Sequence, residues 1–336
     1  MEKPEILIIH LNGEQVIDNC LDSIYKDDKK ARVSLLFNQT TDNSIEIVKH
    51  KYPSVKFYVT PKRMGFAEAS NYLVKKSNSK YIIFLNNDTI VSKSWKSEML
   101  KTLKRNRKCI AVQSKIISYY RSDYFEHAGA AGGFIDKYGY PFCRGRIFDS
   151  VEKDKGQYND EIRIFWGCGV SLLVDRKEFI RLGMFDELFF MYAEELDFCW
   201  RSNNNGKEIW YSPKSVIYHM GSFSVKEEKI NFKKEYLISR NHTLTLIKNN
   251  SAYRLITLLP FKILLEIFAS LRFPLKRGIP FIISIPPIFY YFIQRKKKKG
   301  FTFNKINLSK GLIYPRSIAL DYFIRNKKTF KDIELN

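Results

Sequence analysis

Nowhere in the 336-residue chain do 18 apolar residues run uninterrupted, so a membrane-spanning helix is not expected. Lys262 and Glu266 break one candidate stretch, and Pro280, Pro286 and Pro287 punctuate the other. Cysteine is scarce: Cys20, Cys109, Cys143, Cys168 and Cys199 are odd in number and never spaced C-x-x-C. That excludes both a disulfide framework and a zinc site as expectations, and makes a reducing cytosol the expected compartment. No leader pattern is read either, because Met1-Glu2-Lys3-Pro4-Glu5 leads straight into the short apolar run 6–9, which reads as a first strand. Acidic residues are short in one region only. Residues 1–225 carry 34 Lys and Arg against 28 Asp and Glu, whereas 226–336 carry 23 against 7, so most of the net +22 belongs to the C-terminal third. With the excess beside apolar helical patterns and not on the fold itself, nucleic acid is not the expected ligand.

What is present suffices for a large core, since 45% of residues are hydrophobic and 15% aromatic. Apolar runs at 6–9, 33–37, 55–59 and 81–85 alternate with helical patterns, the first of which places Val16, Ile17, Cys20, Leu21 and Ile24 on one stripe. Strands alternating with helices predict an α/β fold with a mostly parallel sheet covered on both faces. Such sheets bind ligands beyond the carboxyl ends of their strands. The polar stretches 10–14, 38–44, 61–65 and 86–89 all fall at those ends, so four loops share one rim. Residues 119–160 show no period and read as an irregular excursion. A strand at 170–174, helices at 176–182 and about 194–203, and two strands at 208–212 and 216–219 complete a first domain over 1–225. A helical, basic extension occupies 226–336, with apolar helical stretches at 253–271 and 279–293 and the run Arg295-Lys296-Lys297-Lys298-Lys299.

Three groups of residues carry chemistry. Asn86-Asn87-Asp88 puts a carboxylate at the ligand end of a buried strand, where a hard cation holding a diphosphate needs an oxygen donor; Asn and Asp are equally common in turns. Glu194 and Glu195 open a helix after an aromatic run, which also suits the helix dipole. On that helix Glu194, Asp197 and Arg201 share a face and are expected to pair, leaving Glu195 free to act as a general base. His219 closes a strand and gains weight only in company.

Taken in order, Ile8-Ile9-His10-Leu11-Asn12-Gly13, Thr41-Asp42-Asn43-Ser44, Gly65-Phe66-Ala67, Leu85-Asn86-Asn87-Asp88, Phe185-Asp186-Glu187-Leu188-Phe189-Phe190-Met191-Tyr192, Glu194-Glu195-Leu196-Asp197 and Tyr218-His219-Met220-Gly221-Ser222 resemble glycosyltransferase family 2, in particular its bacterial rhamnosyltransferase-like branch. The resemblance covers about residues 5–245, ending with the Arg240-Asn241-His242 helix. It implies a GT-A fold (Rossmann-like, helices on both faces), a nucleotide-sugar donor, a divalent cation (Mn²⁺ or Mg²⁺) and inversion at the anomeric carbon. By the same resemblance Asp88 and His219 would ligate the metal and Glu195 would be the catalytic base. His10, Leu11, Asn12, Phe37, Asn38, Arg63, Gly65, Asn71, Asn86 and Asn87 would line the nucleotide and donor site, and Trp166, Gly167, Gly169 and Glu194 would border donor and acceptor. Three positions depart from the family pattern. Phe37 stands where an Asp usually reads the pyrimidine N3–H, Leu11 replaces a usual Tyr, and Glu195 is one methylene longer than the usual Asp.

The expected function is an inverting glycosyltransferase adding a sugar, with rhamnose the candidate, to a bacterial surface glycan or lipid-linked acceptor. It would lie peripherally on the cytoplasmic face of the plasma membrane against anionic lipid, with homo-oligomerisation left open. The alternative is a non-catalytic relative serving as a binding or scaffolding subunit. A nucleotidyltransferase shares the metal logic but lacks a lysine-glycine-rich activation loop.

Overall fold

A computed structural model describes residues 3–126, 128–221, 231–294, 311–333 and 335. Its first half alternates strand and helix: β1 (Glu5–His10), α1 (Glu14–Asp27), β2 (Arg32–Asn38), α2 (Ser44–Lys51), β3 (Lys56–Thr60), α3 (Phe66–Lys76), β4 (Tyr81–Asn86), β5 (Thr89–Val91), α4 (Trp95–Arg105) and β6 (Cys109–Ser118). Short strands β7 (Gly133–Asp136), β8 (Pro141–Cys143), β9 (Arg146–Ile147) and β10 (Ser150–Val151) follow, then β11 (Ile162–Ile164), β12 (Ser171–Asp175), α5 (Arg176–Arg181), α6 (Glu194–Asn204) and β13 (Glu208–His219). Among the described residues beyond it, the elements are helical but for one strand: α7 (Phe232–Asn249), α8 (Ala252–Arg272), α9 (Ile279–Gln294), β14 (Ile313–Tyr314) and α10 (Ile318–Phe323).

The main sheet runs β11-β13-β6-β12-β4-β1-β2-β3, with β5 paired to the far end of β13. Strands β3, β2, β1 and β4 are parallel, so His10, Asn38, Thr60 and Asn86 end on one rim. The sheet is mixed, because β12 runs antiparallel between β4 and β6. Period-two alternation divides the side chains between two layers. Ile6, Ile8, Val33, Leu35, Phe37, Ile83 and Leu85 pack with Ile17, Leu21 and Ile24 of α1 and with Trp95 and Met99 of α4. Leu7, Leu36, Ile82 and Phe84 face the other way, onto Leu73 and Val74 of α3, Phe179 of α5 and Phe198 of α6. Of the stripe expected on α1, Ile17, Cys20, Leu21 and Ile24 form its buried face and Val16 is half-buried at its edge.

Two expectations change. The two strands read at 208–212 and 216–219 are one strand, β13, whose register against β6 shifts between Ser212 and Val216. This is a bulge around Pro213, a residue that cannot donate to a ladder. The segment 119–160, read as irregular, holds four strands of a second sheet ordered β10-β9-β8-β7-β14. Strands of two to four residues are too short to show alternation, and the partner β14 joins β7 in parallel from far along the chain.

The C-terminal segment is tied to this body in two ways. Helix α7 packs against α6 and α9, and the backbone N–H of Ile318 donates to Asp136 Oδ2 at 3.0 Å beside the β7–β14 pairing. Helix α9 runs through Pro286 and Pro287. Helices α8 and α9 leave large apolar side chains open, among them Tyr253, Leu264, Phe268, Leu271, Ile282 and Phe289. No described helix is long and apolar enough to cross a membrane. The basic run 295–299 lies outside the described residues.

Candidate active site

At the rim, β4 ends in Asn86 and β13 ends in His219, and the two strand ends meet. His219 Nε2 stands 3.1 Å from Asp88 Oδ1 and 3.4 Å from Asn86 Nδ2, while His219 Nδ1 stands 2.9 Å from Glu126 Oε2. The backbone helps, since Met220 N donates to Asp88 O at 2.9 Å. Burial alone would pull the His219 pKa down. Close contact with the Asp88 and Glu126 carboxylates outweighs it and pushes it up to about 9. Glu126 is a member of the site that sequence reading missed. It lies in the aperiodic segment, 93 residues from His219.

The second constellation is the start of α6. Gly169 N lies 3.4 Å from Glu195 Oε1 and Cys168 Sγ lies 3.9 Å from the same oxygen. A Cβ on Gly169 would sit 3.2 Å from Phe66 Cζ and 3.8 Å from Glu195 Oε1, so glycine keeps this approach open. The expected pairing of Glu194 with Arg201 does not form. Arg201 Nε donates to Asp197 Oδ2 at 2.8 Å, and Asp197 also receives Lys248 Nζ at 2.6 Å and Asn249 Nδ2 at 2.8 Å. Glu194 is left buried, its Oε2 without a hydrogen bond among the described residues. Burial, then the charge of Glu195, holds its pKa well above the usual carboxylate range. Glu195 is raised too, by burial, but N–H groups including that of Gly169 oppose the rise. Burial thus raises both members of this adjacent pair.

The remaining expected residues divide by exposure. His10 is fully buried: Asn87 Nδ2 donates to its Nδ1 at 2.8 Å, which makes Nε2 the protonated nitrogen, 2.9 Å from Ser44 Oγ. Burial lowers its pKa to about 4 against the pull of Asp42, so it is a neutral strut that fixes Asn87. Phe37 is also fully buried, edge-on to His10 and Phe57 at 5.9 Å each. Its ring offers no surface at the rim, which revises the placement of Phe37 in a nucleobase pocket: residue 37 shares its face of β2 with Val33 and Leu35. Asn38 clamps the third loop, donating to Met64 O at 3.0 Å and accepting from Met64 N at 2.8 Å. Asn71 is buried and clamps Phe185, donating to its O at 2.8 Å and accepting from its N at 3.1 Å. Leu11 is half-buried, Asn12 is exposed and bonded to Thr41 at 3.0 Å, and Arg63 is exposed. A Cβ at Gly65 would meet Phe190 O at 2.4 Å, so this position must be glycine for the 189–192 loop to seat on α3. Trp166 Nε1 donates to Phe134 O at 2.8 Å, anchoring the loop to the second sheet. Gly167, buried, lies with its N 3.5 Å from Cys199 Sγ.

Comparison with known proteins follows the same lines. Residues 5–175 match the sequence profile described as Glycosyl transferase family 2. The rhamnosyltransferase WbbL of Escherichia coli (strain K12) is 23% identical over 221 residues, 64% of this chain and 82% of WbbL. Among solved structures, GalNAc-T7 with UDP, GalNAc and Mn²⁺ superposes with a TM-score of 0.56 at 15% identity; it covers 73% of this chain, which spans about half (47%) of the GalNAc-T7 chain. The mannosyltransferase PcManGT of Pyrobaculum calidifontis, in complex with GDP-Man and Mn²⁺, gives 0.53 at 13% identity over 88% of this chain and 79% of its own. The fold is therefore GT-A, an α/β sheet with helices on both faces and a helical C-terminal part.

Proposed function

Because the chain belongs to glycosyl transferase family 2, we propose that it is an inverting enzyme moving a sugar from a nucleotide-sugar donor to a hydroxyl of a bacterial surface glycan or lipid-linked acceptor. Similarity to WbbL supports rhamnose as that sugar. The observation that carries the reading is the pairing, on one rim, of an Asp–His set with the half-buried carboxylate of Glu195, which can take a proton.

Among the described residues no group of three or more His, Cys, Asp or Glu is arranged to hold a metal ion by itself. The residues present fit an ion that a diphosphate helps to hold. Asp88 Oδ1 is buried without an aligned hydrogen bond among the described residues, and it lies beside an imidazole whose other nitrogen is backed by a carboxylate, the usual support for a ligating histidine. Asp88 and His219, the latter giving up its Nε2 proton in exchange for the ion, would hold Mn²⁺ or Mg²⁺, which when bound supplies charge neutralisation for the diphosphate. On the acceptor side, Glu195 removes the proton of the attacking hydroxyl as its oxygen closes on the anomeric carbon, and the bond to the nucleoside diphosphate breaks on the opposite face. With Phe37 buried, the expected base-reading acceptor at residue 37 is missing, and base recognition is altered or relaxed relative to the family. The open apolar face of α8 and α9, with the basic C-terminal third, supports attachment to anionic lipid on the cytoplasmic face of the plasma membrane, with 226–336 as the attaching extension and 1–225 as the catalytic domain.

The test is thermal shift with UDP, dTDP, GDP and CDP, with and without Mn²⁺ or Mg²⁺, on the parent and on Asp88→Ala. One nucleotide should raise the midpoint, at 100 times its Kd by about 2.7 kcal/mol of stabilisation, and the metal-dependent part should vanish in the variant. An unchanged metal titration in Asp88→Ala refutes the metal site. No stabilisation by any nucleotide makes the chain a scaffolding relative.

A further inference from the structure

The turn leading into α6 is held in an unfavourable shape. Phe190, Tyr192 and Ala193 have φ of 62°, 71° and 69°, a left-handed region that side chains with a Cβ rarely adopt. Ala193 is the N-cap of α6 and makes no side-chain cap, so within the turn only backbone bonds, such as Met191 N to Phe189 O at 2.7 Å, set the direction in which Glu194 and Glu195 leave it. The constraint comes from α7. Asn241, fully buried, donates its Nδ2 hydrogens to the carbonyls of Phe189 at 3.0 Å, Met191 at 2.8 Å and Tyr192 at 2.7 Å. Its own Oδ1 accepts from Arg240 Nε at 2.9 Å, which fixes which end of the amide faces the turn. Arg240 Nη2 adds bonds to Leu188 O and Phe189 O at 3.0 and 3.1 Å. Three carbonyls thus converge on one amide, an arrangement that repels itself once the donor is removed. From the other side Phe190 O presses on Gly65, with Ala67 N at 3.4 Å.

We propose that Asn241 is a positioning residue for the transfer step, acting through the Phe189–Tyr192 carbonyls to aim Glu195 at the acceptor hydroxyl. This rests on the reading of Glu195 as the base. Asn241 touches neither Asp88 nor His219, so it bears on the proton-accepting half of the site and leaves donor binding alone. Without the amide the turn relaxes towards ordinary backbone angles and Glu195 swings away from Gly169 and towards water.

The experiment is a double-mutant cycle on the full chain, Asn241→Ala against Glu195→Gln. The readout is release of nucleoside diphosphate from dTDP-rhamnose, UDP-N-acetylglucosamine and GDP-mannose with Mn²⁺, transfer to water serving as the reaction. Asn241→Ala should lower kcat by about 10- to 100-fold, leave the thermal shift given by the nucleoside diphosphate unchanged, and move the acid limb of the pH–rate profile down towards that of an ordinary carboxylate. The double variant should be no slower than Glu195→Gln within about 3-fold, because an aim without a base has no effect. If Asn241→Ala does not fold, Asn241→Gln, which overreaches the turn by one methylene, enters the same cycle with the same expected non-additivity. Losses that multiply, or an acid limb that stays in place, overturn the inference while leaving the base assignment intact. Full turnover in Glu195→Gln, or none in the parent on any donor, overturns the base reading and the inference with it.

Discussion

Replacing Lys248 by Met removes one ammonium from the buried charge cluster around Asp197 while keeping most of the side-chain volume. Lys248 Nζ lies 2.6 Å from Asp197 Oδ2, with the two side chains 4% and 0% exposed, and 2.7 Å from Asp186 Oδ2. Deleting one partner of such a pair costs about 3 to 5 kcal/mol, because the other is left charged out of water. Arg201 and Asn249 stay bonded to Asp197, which places the loss at the lower end, about 3 kcal/mol. An unfolding entropy of about 2.1 cal/mol/K per residue over a chain of this length is roughly 0.7 kcal/mol/K, so the melting midpoint should fall by about 4 °C. The pH dependence follows from Asp197. Burial raises its pKa, but Lys248 and Arg201 outweigh burial and hold it below its ordinary 3.8. A carboxylate depressed in the folded state contributes stability that is fully present above its unfolded pKa and is lost as pH falls through the folded one. The gap between parent and Lys248→Met should accordingly be full at pH 7 and narrow below about pH 4. Melts followed by circular dichroism across that range check both points. A midpoint within 1 °C or so of the parent at pH 7, or a gap indifferent to pH, refutes the assignment of this cluster as the clasp between α6 and α7.

Glu195→Gln should lower turnover by about 10² to 10⁴ with nucleotide binding retained, whereas Glu194→Gln should keep most of it; a reversed order names the wrong carboxylate. Because the folded pKa of Glu194 is raised, its contribution is present at low pH and lost as pH climbs through that value, so the stability advantage of Glu194→Gln should grow with pH in thermal melts. Phe37→Asp should cost at least about 3 kcal/mol through lost packing and a buried charge and add no preference for UDP or dTDP; a parent-like midpoint with selective UDP stabilisation would show that residue 37 does face the base. Changing Leu264, Phe268 and Leu271 together to Glu should weaken co-sedimentation with anionic liposomes by more than about 10³-fold, from roughly 5 kcal/mol of lost apolar burial; equal sedimentation of variant and parent would place the lipid contact elsewhere.

The rim was legible because each of β1 to β4 is a short apolar run followed at once by polar residues, and parallel order puts all four ends together. The same pattern put Asp88 and His219 at strand ends that meet in the fold, whereas the roles expected of them and of Glu195 came from the resemblance. Phe37 shows where pattern misleads: its motif position pointed to the ligand, but a period of two from Val33 and Leu35 already assigned it to the core face. Glu126 carried no local signal, and Asn241 only marked the end of the resemblance, with nothing to say what it holds. Each acts on a partner some 50 to 93 residues away, across strands too short to show alternation in one case and from inside a helix in the other.

The late pairing of β14 with β7 bears on how the protein is made. Asp136 waits for the N–H of Ile318, 182 residues downstream, and Glu152 for that of Phe330, 178 residues downstream. At a synthesis rate of about 5 to 20 residues per second this is a delay of roughly 10 to 35 s. During it the edge of β7 is unpaired, and Asp136, whose pKa burial lifts to about 7 in the finished fold, still faces solvent as an ordinary carboxylate. The four β-strands around the first site can close early in that interval. The second sheet cannot, so ribosome-bound chains halted between β13 and β14 should present an open strand edge, a natural place for a chaperone to hold the nascent chain.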